Sequence, residues 1–306
     1  MDNDKIIYNG VDISDDVDVT AAVHDMYAGP GRADTIELTM DDESGLWSEW
    51  RPMTGDVIEY TNGSVKSGKM YVMHSDYYTN VCRLYASSMP PAAKAVNSKT
   101  WQQVYLQQVV SELSERMGLS CQIVGFDSIY YDRLQQKKET DISFLYKRAV
   151  LEGGGLVIYD GKIVLFKSSY LESMAPAIKI ETAGAQWEAD DMSGSLYGSC
   201  FVKAGSYAGR FRAGEGPEYN HIGPVQATSD AELSRYAAGL LRYANETMQR
   251  AKLDTSIQGD LTAGVTVYIE HDTEPSWSGR YYIYRLRNEY HNDRAVIYLR
   301  KPLEGY

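Results

Sequence analysis

Ala231, Leu233, Ala237, Leu240, Leu241, Ala244, Met248 and Ala251 recur in steps of three and four, which lays one apolar stripe along a rod and predicts a helix over residues 231–253. Ser229 and Asp230 bring N-cap oxygens just ahead of it, Glu232 sits near the positive end of the helix dipole, and Arg235, Arg242, Glu246 and Arg250 form its polar face. The period then changes to two. Leu253, Thr255 and Ile257, and beyond Gly259-Asp260 and Gly264 the residues Val265, Val267 and Ile269, alternate with polar neighbours, which predicts a half-buried antiparallel pair. Residues 280–287 and 295–300 continue the alternation with Tyr and β-branched side chains, so a barrel or sandwich carrying one helix is expected.

The first third has the same period without a helix. Strands are expected at residues 5–8, 17–24, 35–40, 56–60, 68–76 and 81–86, with hairpin turns at Asn9-Gly10 and Asn62-Gly63. Six strands in 95 residues predict a barrel. Gly29-Pro30-Gly31-Arg32 lacks the glycine spacing and the Lys-Ser/Thr of a phosphate loop and reads as a turn, as does the acidic segment from Asp41 to Gly45. Met89-Pro90-Pro91 closes this unit, since consecutive prolines cannot continue a ladder.

Residues 96–175 predict two helices and a hairpin. Leu106, Val109, Val110, Leu113 and Met117 form a stripe that ends at Gly118, and Thr140-Asp141 caps a second helix through Phe144, Leu145 and Ala149 to the glycines at 153–155. Two apolar runs then flank the Asp160-Gly161 turn. Ile178-Lys179-Ile180 opens the last unit, with a strand pair expected around Gly198 and a surface loop over residues 205–223 that exposes Arg210 and Arg212. The fold class is α+β, mainly β, in three units: 1–95, 96–175 and 176–306.

Composition narrows the chemistry. The 306 residues carry a net charge of −12, and the first third, with 16 acids against 7 bases, holds most of the excess. Such a surface repels phosphate backbones, so specific nucleic-acid binding is not expected. Cys82, Cys121 and Cys200 lie far apart in odd number, which suits neither a zinc site nor a disulfide framework and fits a reducing cytoplasm. Its first residues show no charged-then-apolar pattern and its apolar runs are too short to cross a bilayer, so a chain that neither inserts in a membrane nor follows the general secretion route is expected. Tyr outnumbers Phe 25 to 5, as wet sheet faces and subunit contacts require.

Catalysis finds no constellation. Glu188 with Asp190 and Asp191, or Glu215 with Glu218, supply neighbouring carboxylates, but proximity in sequence does not place them across a cleft, and solvated loop charges are the plainer account. His24, His74, His221, His271 and His291 show no metal-ligand spacing, and no nucleophile elbow occurs. Catalytic, cofactor-binding and metal residues are therefore all assigned as none. The basic positions Arg285, Arg287, Arg294, Arg300 and Lys301 interleave with Tyr281, Tyr282, Tyr284, Tyr290 and Tyr298, which reads as an interface or a solvated strand face.

The order of these features resembles the central hub proteins of contractile-tail baseplates, the late control gene D family of phage tail proteins, over nearly the whole chain. The residues that carry the resemblance are Tyr8 to Ser14, Gly55 to Ile58, the helix at 104–117 with Gly118-Leu119, Asp141 to Leu145, the Asp160-Gly161 hairpin, Ile257 to Asp260, Gly264-Val265 and Ser278 to Ile283. The resemblance implies two tail-tube-like β-barrels, residues 1–95 and about 176–306, flanking a small α/β domain. It implies a homotrimer whose six barrels form a pseudo-hexameric ring between a sixfold tail tube protein and a threefold spike or needle protein, in contact with other baseplate subunits. It further implies assembly in the bacterial cytoplasm into the baseplate of a virion, bacteriocin or other tail-like particle. The chain departs from the larger hubs in that no fused lysozyme-like or peptidase-like segment is expected in it, and no cofactor is expected. Two other readings remain open at this point: a tail-associated peptidoglycan hydrolase, and a carbohydrate-binding β module.

Overall fold

The computed structural model describes residues 4–29, 32–221, 223–259 and 261–306. The alternating first third becomes β1 (Asp4–Tyr8), β2 (Val11–Asp12), β3 (Val19–Tyr27), β4 (Thr35–Asp41), a short α1 (Leu46–Trp50), β5 (Val57–Asn62), β6 (Val65–Lys66), β7 (Met70–Tyr78) and β8 (Val81–Ser87). The middle holds β9 (Val96–Tyr105), α2 (Leu106–Arg116), β10 (Ser120–Val124), β11 (Tyr130–Thr140), α3 (Asp141–Leu151), β12 (Gly154–Tyr159), β13 (Lys162–Lys167) and α4 (Ser168–Ser173). The last third comprises β14 (Lys179–Glu181), β15 (Gln186–Asp191), β16 (Ser199–Ala204), β17 (Tyr207–Arg212), β18 (Glu218–Asn220), α5 (Asp230–Asn245), β19 (Gln249–Thr255), β20 (Thr266–Glu270), β21 (Gly279–Glu289) and β22 (Arg294–Arg300). The architecture is mainly β, as expected.

Local signals explain most of these elements. Asn9 and Gly10, and likewise Asp160 and Gly161, take positive φ at adjacent positions, as two-residue hairpins demand. The Thr140 hydroxyl accepts from the Ser143 N–H at the start of α3, and the Ser229 hydroxyl accepts from the Glu232 N–H at the start of α5.

Residues 1–95 and 176–306 do not form separate closed barrels. Among the described residues, fourteen strands belong to one sheet, because β3 pairs antiparallel with β21, and no ladder joins the outer edges of either third. At the first seam the chain that follows β2 stays on β1: the Ile13 N–H donates to the Ile6 C=O and the Ile6 N–H donates to the Ser14 hydroxyl, both at 3.0 Å. At the second seam the edge strands β14 and β15 follow one another in the chain, and Trp187 of β15 meets His271 and Trp277, which follow β20.

The two thirds share one plan. Six strands lie in the order β1-β5-β7-β8-β4-β3 in the first and β14-β20-β21-β22-β19-β15 in the last. The registers match as well. Tyr71 faces Val57 and Ser87, and Tyr282 faces Thr266 and Arg300. Each strand then bulges two residues later, between Val72 and His74 and between Ile283 and Arg285. Gly55 and Gly264, at φ 98° and 94°, each donate an N–H at 2.9 Å to the residue before the bulge, Val72 and Ile283. The first strands differ, since β1 runs antiparallel to β5 while β14 runs parallel to β20.

Several expectations are corrected. The helix ends at Asn245, not at 253, because the Asn245 side chain turns back to bond the Tyr197 N–H and C=O, and Ala251 and Leu253 enter β19. Position 251 satisfies both the helical and the strand period, and the neighbouring strands β15 and β22 decide for the strand. The pair expected between residues 253–257 and 265–269 does not form: β19 lies between β15 and β22, while β20 pairs with β14 and β21. Asp260 of the expected turn lies outside the described residues, as do Pro30 and Gly31 of the earlier one. The strand pair expected around Gly198 is instead β16 with β17, so the expected loop at 205–223 contains β17 and β18. Gly209 is there because a Cβ would meet the Leu233 backbone at 2.2 Å, where α5 lies on the small sheet. The middle unit adds the polar ribbon β9–β11 to the expected helices and hairpin.

Three cores result. One lies inside the first third around Ile36, Leu38, Trp47 and Leu84. Another lies inside the last third around Leu253, Val267, Ile283 and Ile297. Leu233, Tyr236, Ala237, Leu240 and Leu241 of α5 belong to neither; they pack on the middle unit with Leu113, Leu145 and Leu165.

Candidate interaction surface

The junction of β3 with β21 carries a network of ion pairs. Arg285 and Arg287 each donate to the Asp25 carboxylate at 2.8 Å, and Arg287 and Arg294 also reach Glu289. The Arg285 guanidinium stacks over the Tyr27 and Tyr298 rings, 5.2 and 4.6 Å from their centroids. Alongside, His24 is fully buried with Nδ1 at 3.1 Å from the Tyr290 hydroxyl, and burial pushes its pKa down to about 4. Asp34, buried where β4 begins, is pushed up to about 7 by desolvation although it accepts the Tyr27 N–H.

A second charged cluster ties the middle unit to the last. Glu172 of α4 forms ion pairs with Arg242 of α5 and Arg300 of β22, and all three are buried. Burial alone would raise the Glu172 carboxyl, but the two guanidiniums hold it below the usual glutamate range. Arg242, expected on the solvated face of the helix, is therefore an inner residue.

The basic and aromatic tail is spent on internal contacts. Arg285 and Arg287 hold Asp25, Arg294 holds Asp254, Arg300 holds Glu172, and Lys301 lies over the Tyr281 ring. The carboxylates considered for acid–base work are paired or solvated. Glu188 and Asp190 bind Lys252 and Arg250 across β15 and β19, Asp191 accepts from Gln249, and Glu215 and Glu218 pair with Arg212 and Arg210.

The histidines do not converge. His74 stacks on Tyr85, His271 packs edge-on to Trp187, His291 approaches Asp4, and His221 tilts against Tyr219. Cys82 and Cys200 are buried, with thiols pushed up by burial to about 12 and about 11, values that suit packing and not nucleophilic attack. A cavity of about 860 Å³ lies at the first seam, lined by Asp4, Asp15, Asp18, Tyr290 and His291. Among the described residues no group of side chains is arranged to hold a metal ion, and no helix is long and apolar enough to cross a membrane.

Sequence reasoning missed the free edges of the terminal sheets. Among the described residues, 74–78 of β7 have a strand partner on one side only, and so does all of β15. Met73, Tyr77, Tyr78 and Met192 are exposed there. No periodicity in a sequence distinguishes a strand with two neighbours from a strand with one.

No protein-family model and no curated protein matches the chain by sequence. Solved structures do match in shape. The 43 kDa tail protein of prophage MuSo2 from Shewanella oneidensis is 13% identical with a TM-score of 0.70, and the match covers 99% of this chain and 97% of that one. A tail protein from Neisseria meningitidis is 9% identical with a TM-score of 0.75, covering 98% and 96%. The Escherichia coli c3393 protein, described as a component of the type VI secretion system with structural similarity to the T4 bacteriophage tail proteins gp27 and gp5, is 11% identical with a TM-score of 0.63, covering 98% and 78%. The fold is thus that of phage tail proteins. This chain has it over nearly its full length.

Proposed function

We propose that the protein is the structural hub of a contractile-tail baseplate, a homotrimer whose six terminal units form a pseudo-hexameric ring joining a sixfold tail tube to a threefold spike. The observation that carries this reading is the repeated six-strand plan with its matching bulge in residues 1–95 and 176–306. Two like units in one chain let three copies offer six nearly equivalent surfaces at one end while keeping threefold contacts at the other. Each unit works as a tube-like barrel that, among the described residues, has no ladder between its first and last strands, β1 and β3 or β14 and β15.

The chain acts as scaffold and not as an enzyme. It assembles in the bacterial cytoplasm and ends in the baseplate of a virion or tail-like particle, where its acidic first third lets nucleic acid pass without sticking. The test is microscopy of particles carrying a tagged chain, with three copies expected where tube meets spike. Label elsewhere on the particle, or clearing of cell-wall suspensions by the purified chain, sinks the reading.

A further inference from the structure

The internal junction is a template for a contact the single chain leaves open. Inside the chain, residues 23–27 of β3 pair with residues 285–289 of β21, and Arg287 faces Asp25 while Asn288 faces His24. The matched registers transfer this contact. Ala189 on β15 occupies the place of His24 on β3, because Ala189 faces Ala251 as His24 faces Ile36, and those partners in turn face Leu299 and Ala86. Likewise Asp76 on β7 occupies the place of Arg287 on β21, since Asp76 faces Arg83 as Arg287 faces Val296. Residues 188–192 and 74–78 are thus the counterparts of the two paired segments, and both have an open edge among the described residues.

We infer that β15 of one copy adds antiparallel to β7 of the next, in the register that β3 and β21 already use, so that Tyr77 faces Ala189 and Asp76 faces Asp190 of the neighbouring copy. Exposure supports a second copy as the occupant. His24 and Asn288 are buried in the internal junction, whereas Tyr77 is 42% exposed and Ala189 is exposed at the counterpart edge. A strand edge with unpaired N–H and C=O groups is completed by such an addition, and a head-to-tail contact of this kind repeats until the ring closes. The inference rests on the ring reading above and specifies which edges make it.

The outer contact lacks the ion pairs of the inner one. His74 and Asp76 stand where Arg285 and Arg287 grip Asp25, so Asp76 meets Asp190, a carboxylate already held by Arg250. Association is therefore weaker than the internal junction, and Asp76→Arg should strengthen it.

The test combines mass measurement with cross-linking of the full chain. In Tyr77→Cys/Ala189→Cys, mild oxidation should yield disulfide-linked multiples of the chain on a denaturing gel, absent from each single variant and from the out-of-register pair Ser75→Cys/Glu188→Cys. Asp76→Arg should shift assembly to concentrations at least about threefold lower. An oligomer by mass with no in-register cross-link and no effect of Asp76→Arg overturns the edge pairing and leaves the ring reading standing. A chain that stays monomeric and uncross-linked at every concentration, in all variants, overturns both.

Discussion

Arg287 donates to Asp25 across 2.8 Å, and through this contact the last strands of the chain hold the first. Asp25 lies 9% exposed and also receives Arg285, so removing it strands the Arg285 guanidinium and leaves Arg287 with Glu289 alone. Asp25→Ala should cost about 2–4 kcal/mol, read as a lower urea midpoint, while Asp25→Asn, which keeps the acceptor, should cost less. Equal midpoints for both variants and the parent would show that the seam does not depend on this carboxylate.

Glu172 is a stricter case because all three members of its cluster are buried. Glu172→Ala leaves Arg242 and Arg300 buried without their ion-pair partner and with only the more distant influence of Glu246, and should destabilise by about 3–5 kcal/mol. Replacing all three with apolar residues of similar volume should recover much of that loss. Thermal unfolding of the single and triple variants checks both outcomes.

Gly239 lies inside α5, where alanine would ordinarily stabilise a helix by about 1 kcal/mol. Here a Cβ would sit 2.4 Å from the Leu151 carbonyl oxygen and 2.5 Å from that of Val150, both backbone atoms of α3. The clash should win, with Gly239→Ala losing about 1–3 kcal/mol. A raised melting temperature would mean that α5 does not lie so close.

Asp34 and His24 give stability opposite dependences on pH. The raised Asp34 value means that the fold favours its protonated form, a contribution complete below about pH 4 and lost as pH rises through about 7. His24 is lowered to about 4, so its contribution is complete above about pH 6.5 and lost as pH falls through 4. Asp34→Asn should therefore come closest to the parent near pH 4 and exceed it at pH 8, by at most about 4 kcal/mol. Urea titrations at the two pH values decide it; a variant no more stable at pH 8 than the parent removes the account.

Legibility in the sequence followed the range of each interaction. The Asn9-Gly10 and Asp160-Gly161 turns, the Thr140 and Ser229 caps and the alternation in β4, β21 and β22 are local, and each was readable from a few neighbouring residues. The end of α5 was not. Met248 and Ala251 extend its stripe, yet Asn245 bonds Tyr197, 48 residues away, and the chain leaves the helix there. The polar ribbon β9–β11 and the strand around Gly209 were equally hidden, since each depends on a distant surface to cover one face.

By itself, then, the sequence determined a mainly β chain in which strand periods at both ends flank a helical middle. Only the tertiary structure decided that the two ends share one strand order and one bulge, that β3 joins β21 into a single sheet, and that β7 and β15 keep open edges. The physical reason is that a strand's period records which side chains face a core, whereas its partners are chosen by backbone hydrogen bonds, which every sequence offers alike.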